Sequence, residues 1–231
     1  MTPADVSDAL GAAVRDAVER GVLAVPVPEE VPVFCAGPGV FESPVALRLG
    51  VDPRVIAECV GGSVTPRGFV RVEVSPGAVV DGVLGDPRYG VRVVPAFSWD
   101  EWPRTWENPG FAVRYAYVRA GWVGRWASEL GVGRGVFAGG EAEEMVLVEA
   151  LGELPGRAAQ AERERDARPL VLSLERVAAA YHDVHERCPA VPRGDERPGA
   201  VHAGRVSLAE AARIAIGNGL NMIGETPRER L

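Results

Sequence analysis

His182, His185 and Cys188 fall at i, i+3 and i+6 in the stretch YHDVHERC, and zinc accepts all three atom types. Spacing of three places two imidazoles on neighbouring helical turns. Six residues, however, carry the chain about 240° around the axis, and no fourth ligand stands nearby. The pattern reads as ordinary helix residues, so no metal and no cofactor is expected. A second constellation is richer. The stretch FAVRYAYVRAGWVGRW carries Tyr115, Tyr117, Arg119, Trp122, Arg125 and Trp126. Aromatics interleaved with guanidinium groups stack on bases and pair with phosphates. The competing reading is packing. Phe111, Tyr115, Val118, Trp122, Trp126 and Leu130 recur at three and four, as a buried stripe does. The tryptophans are assigned to that core. Tyr115, with Arg119 beside it at the stripe's edge, stays open between core and RNA contact.

Catalysis is not indicated. There is no Gly-x-Ser-x-Gly elbow and no His-Glu-x-x-His. All 25 basic residues are arginine. A chain without lysine has no P-loop lysine, no kinase strand lysine and no Schiff-base amine. The net charge of −7 excludes a protein that coats nucleic acid by charge alone. Three scattered cysteines, Cys35, Cys59 and Cys188, suggest reduced thiols. No apolar run has the length of a membrane span, and no signal peptide is visible at the N-terminus. These features together predict a cytoplasmic, non-enzymatic protein with no membrane partner.

The elements that must position these residues follow from caps and periods. Thr2-Pro3-Ala4-Asp5 starts a helix with Val6, Leu10, Ala13, Val14, Ala17 and Val18 buried, closed at Gly21. Val31–Ala36 and Phe69–Val74 read as strands. Ser43-Pro44, Asp52-Pro53 and Ser75-Pro76 start short helices. Residues 1–84 are thus a small α+β domain. Residues 85–107 hold Trp99, Trp102 and Trp106 without any period and are read as a linker that packs against a domain, because indoles are costly to leave in water. From Asn108 to the end the pattern is helical, an all-α bundle of about five helices. Pro155 is expected to stop one helix and Gly156–Asp166 to form another. The last helix is expected to start at Ser207, whose spacing to Glu210 is that of a capping box, after a loop over residues 189–206. The predicted fold class is α+β, with domains over 1–84 and 108–231.

Several stretches carry a family resemblance. Asn108-Pro109 through Tyr115-Ala116-Tyr117-Val118-Arg119 resembles the Asn-Pro-x-x-x-Val-Gln-Tyr-Ala-His-Ala-Arg opening of the anticodon-binding (DALR) domain of arginyl-tRNA synthetases. Ala180–Cys188 resembles that family's Ala-Phe-His-x-Phe-Tyr-x-x-Cys helix, and Ile216–Gly224 with Pro227–Leu231 resembles its terminal Leu-Ala-Asn-Gly-Leu and Pro-Glu-Arg-Met segments. Gly39–Leu47, Gly50–Glu58 and Gly68–Ala78 resemble the synthetases' N-terminal additional domain. In the family a nucleotide-binding catalytic domain lies between these parts, with His-x-Gly-His and Lys-Met-Ser-Lys-like signatures. Here residues 85–107 stand in that place and neither signature exists.

The resemblance implies a non-catalytic paralogue that binds tRNA, in particular tRNA-Arg, and no DNA. It implies RNA-binding roles for Tyr115, Arg119, Tyr181, His185, Asn218, Leu231 and Phe41. His185 replaces the family's Tyr, Leu231 its closing Met, and Pro44 and Val40 its N-terminal Asn and Asp. The alternatives are a protein–protein interaction or regulatory module that reuses the fold, and an accessory subunit of an enzyme that uses aminoacyl-tRNA.

Overall fold

The structure, a computed structural model, describes residues 1–230. Helix α1 (Pro3–Glu19) opens on the expected capping box, in which Thr2 Oγ1 accepts from Asp5 N–H and the Asp5 carboxylate accepts from Thr2 N–H. Strands β1 (Phe34–Gly37), β2 (Val40–Ser43), β3 (Ser63–Val64) and β4 (Val70–Glu73) form an antiparallel sheet in the order β1-β2-β4-β3. Helices α2 (Val45–Leu49), α3 (Pro53–Cys59) and α4 (Pro76–Gly85) complete this part. Asp52 and Ser75 cap α3 and α4 as their sequence position requires. Strands β2 and β3 escape sequence reading, because each is too short for alternation to register. Pairing defines them instead: β2 holds Cys35 opposite Phe41 on one edge and Val72 opposite Phe41 on the other.

Helices α5 (Pro109–Glu129), α6 (Ala142–Glu164), α7 (Arg168–Arg187) and α8 (Ala200–Met222) follow. The fold is therefore a small antiparallel sheet with short helices, followed by a helical bundle. Pairs α6–α7, α5–α8 and α5–α7 make the main bundle contacts, and β1 and α4 pack on α6 and α8. One buried apolar cluster runs through both parts, from Leu10 and Phe41 to Leu174 and Ile216.

Three expectations are corrected. Helix α6 runs through Pro155 instead of stopping there. Proline lacks the N–H that would bond the carbonyl four residues back, that of Leu151. The Tyr89 hydroxyl donates to that carbonyl at 2.7 Å, so the interruption is repaired from outside the helix. Helix α8 starts at Ala200, one turn and more before Ser207. Ser207 lies mid-helix, where its hydroxyl accepts from Gly135 N–H at 3.1 Å and donates to Gly135 O at 2.7 Å. The Ser-x-x-Glu spacing marks a contact to the α5–α6 connection, not a helix end.

The third correction concerns α5. Its buried residues are Gly110, Val113, Ala116, Val118, Ala120, Val123 and Ala127, of which only Val118 belongs to the expected stripe. The large aromatics are not among them, with Trp126 43% exposed. Small residues let α7 and α8 come close, and the rings are displaced to the rim. Two stripes of the same period existed in the sequence, and residue size favoured the wrong one.

Candidate nucleic-acid interface

The rim of α5 meets α7 at a ring cluster. The N-terminus of α5 is fixed by Asn108, whose Oδ1 accepts from the N–H groups of Gly110 and Phe111. One turn in, Phe111 and Tyr115 stack at 5.5 Å with their planes 17° apart, a consequence of i, i+4 spacing. One turn further, the Arg119 guanidinium lies 4.9 Å from the Tyr115 ring centre. From α7, His182 closes the cluster. Its Nε2 stands 2.9 Å from Ala112 O, and a carbonyl can only accept, so Nε2 carries the proton. The bare Nδ1 accepts from Arg119 Nη1 at 3.2 Å. Glu186 accepts from the same guanidinium nitrogen at 3.4 Å.

Electrostatics match this geometry. Burial, together with the Arg119 charge, holds the His182 imidazole below its ordinary pKa and so keeps it neutral. Burial first and Arg119 second push His185 down to about 4. Tyr181 lies beneath, 6.4 Å from the His182 ring and 6.1 Å from the His185 ring. It is fully buried and its hydroxyl has no hydrogen-bond partner among the described residues. Burial raises its pKa. The rim thus presents one permanent cation, two neutral imidazoles and stacked rings above a buried tyrosine. Such a set recognises flat aromatic groups with hydrogen-bonding edges and adjacent negative charge.

Residues 113–231 match the family described as the DALR anticodon binding domain. That is more than half of the chain. The chain belongs to the DALR anticodon binding domain family. An arginine–tRNA ligase of Clavibacter sepedonicus is 37% identical over 131 residues, which are 55% of this chain and 24% of that protein. The chain thus spans about a quarter of the length of this relative. A solved arginyl-tRNA synthetase of Thermus thermophilus aligns at 20% identity with a TM-score of 0.43, over 55% of this chain and 22% of that one.

Within the DALR domain, Tyr115, Arg119, Tyr181 and His185 come together on α5 and α7. The others do not join them. Asn218 in α8 is spent on structure: its Nδ2 donates to Pro87 O and Tyr89 O, both at 3.1 Å, and pins the segment that follows α4. Phe41 is fully buried in β2. A Cβ at Gly152 of α6 would lie 3.5 Å from its ring, so Phe41 is a joint between sheet and bundle with no surface to offer. Leu231 lies outside the described residues. The segment before it is tied to both α5 and α8: Glu225 accepts from Arg114 Nε at 2.8 Å and Nη2 at 2.6 Å on α5, and Glu229 accepts from Arg213 at 2.8 Å on α8.

Three members of the ring cluster, Phe111, His182 and Trp106, are not among the site residues that the sequence suggests. His182 reads in the sequence as an ordinary helix residue, with zinc ligation as the alternative, yet both its ring nitrogens are engaged in hydrogen bonds and it orients Arg119. No group of three residues suited to a metal occurs among the described residues. Trp106 was placed in the linker. Its signal was the cost of three indoles in a segment without period, but that cost does not say where an indole goes. Beside the cluster, a cleft of about 340 Å³ is lined by Arg104, Phe111, Arg114, Glu225 and Arg228. No described helix is long and apolar enough to cross a membrane.

Proposed function

We propose that this chain is a non-catalytic relative of arginyl-tRNA synthetases that binds tRNA, with tRNA-Arg as the preferred partner. The observation that carries the reading is the Arg119 guanidinium, held by His182 against the Tyr115 ring in a DALR domain. Arg119 supplies charge to an anticodon-loop phosphate or a base edge, Tyr115 supplies a stacking face, and the neutral His185 offers one donor and one acceptor. The absence of aminoacylation rests on the sequence: the short segment 85–107 stands where the resemblance expects an ATP-binding domain, and the chain has no lysine. The net charge of −7 means that affinity comes from these contacts more than from the general field.

The test is fluorescence anisotropy with a tRNA-Arg transcript and an unrelated tRNA across a salt series. Selective binding with a shallow salt slope is expected. Arg119→Gln should weaken it roughly 5- to 150-fold, since one good base or phosphate contact is worth about 1–3 kcal/mol. Unchanged affinity in Arg119→Gln, or equal binding of both tRNAs, defeats the reading. A protein-interaction module is the second reading, motivated by Trp102 at 66% exposure and Trp126 at 43%. It predicts RNA-free protein that co-purifies with one fixed partner.

A further inference from the structure

The slot over the Tyr115, His182 and Arg119 side chains is already filled. Trp106 lies 4.9 Å from the His182 ring at 85°, 5.5 Å from Tyr115 at 59°, and 6.1 Å from Phe111 at 75°. The Arg119 guanidinium sits 5.6 Å from its ring centre while also lying 4.9 Å from Tyr115. Arg119 is therefore enclosed by two rings, an imidazole and Glu186, and its side chain is only 16% exposed. Trp106 itself is 53% exposed. It is the outermost layer of the cluster, and the residues it covers are those that the proposed function needs.

We propose that Trp106 is an internal stand-in for a nucleobase, which closes the RNA site until a single-stranded base displaces it. The proposal rests on the RNA-binding reading and concerns the regulation of that site. An indole has the shape and flat aromatic character of a purine. It covers Tyr115 and His182 by tilted and edge-on packing, at 59° and 85°, and makes cation–π contact with Arg119, so it occupies the space that a base stacking here would need. The two cannot share the slot.

The local structure permits the exchange at small cost. The chain is fixed on both sides of Trp106. Upstream, Trp99 is buried and its indole N–H donates to Glu175 at 3.0 Å. Downstream, Asn108 Nδ2 donates to the carbonyls of Asp100 and Pro103, both at 2.9 Å. Trp106 can thus leave by rotation about its own side-chain bonds, with the backbone anchors intact. A base gains less than its full stacking interaction, because it must first expel the indole. Apparent affinity falls by the fraction of molecules in which the slot is open.

The experiment uses the full chain and an anticodon stem-loop of tRNA-Arg. Trp106→Ala should bind roughly tenfold tighter than the wild type, the effect of removing a closed state that holds about nine molecules in ten. In protein carrying 5-fluorotryptophan, the resonance lost in Trp106→Phe should shift towards its solvent-exposed position when the stem-loop binds. Circular dichroism and melting of Trp106→Ala confirm the fold. If the wild type binds and Trp106→Ala binds equally or more weakly, the RNA reading stands and the stand-in proposal falls. If only Trp106→Ala binds, both stand. If neither binds, the RNA reading itself fails and the stand-in falls with it.

Discussion

Tyr89 and Tyr181 are each about 1% exposed, and Tyr→Phe removes the same oxygen at both. The structure predicts opposite signs. The Tyr89 hydroxyl donates at 2.7 Å to Leu151 O, the carbonyl that Pro155 leaves without its helical partner. Tyr89→Phe keeps the ring and strands that buried carbonyl. A net hydrogen bond is worth about 1 kcal/mol and an orphaned buried acceptor costs about 1–3 kcal/mol, so a loss of roughly 2 kcal/mol is expected. The Tyr181 hydroxyl has no partner among the described residues, so Tyr181→Phe relieves a desolvated group and should add roughly 1 kcal/mol. For a chain of this size these changes correspond to Tm shifts of about −4 to −8 °C and +2 to +4 °C. Urea unfolding with unchanged m-values, checked by calorimetry, measures both. Equal signs, or a Tyr89→Phe loss below about 0.5 kcal/mol, would refute the reasoning from hydrogen-bond satisfaction.

The His185 pKa is pushed down to about 4 in the fold, against an ordinary 6.5. Between those values the unfolded chain binds more protons, so stability falls as pH drops from 6.5 towards 4 and this contribution to the slope ends below that. Urea midpoints across this window measure the slope, and His185→Gln should reduce it. The side chains of Glu144 and Arg205 are 3% and 14% exposed and pair at 2.7 Å, joining the start of α6 to α8. Glu144→Gln should cost about 3 kcal/mol because it leaves a buried guanidinium without its counter-charge. Adding Arg205→Met should recover part of that loss in a double-mutant cycle, and full additivity would show that the pair is uncoupled.

The caps of α1, α3 and α4, the short helices started by Ser/Asp-Pro pairs and the helical character of the second part are legible in the sequence, because each depends on near neighbours along the chain. Thr2, Asp52 and Ser75 read as caps in the sequence and cap α1, α3 and α4 in the fold. The resemblance motifs likewise brought Tyr115, Arg119, Tyr181 and His185 into view, since α5 and α7 present them at helical spacing. What failed was decided by partners distant in sequence. Pro155 reads as a stop unless Tyr89 is known to serve Leu151 O. Ser207 reads as a cap unless Gly135 is known to lie beside it. Two apolar stripes on α5 have the same period, and only the close approach of α7 and α8 makes the small-residue stripe the buried one. Phe41 and Asn218 carry family-like motifs, yet one is consumed by the sheet–bundle joint and the other by the backbone at Pro87 and Tyr89. Trp106 is the clearest case. Composition suggests that its indole packs away from water, but it stays half exposed, and only tertiary packing places it on Tyr115, His182 and Arg119. Local sequence fixes which side chains share a helical face. Which of those faces is covered, and by what, depends on contacts that no spacing along the chain encodes.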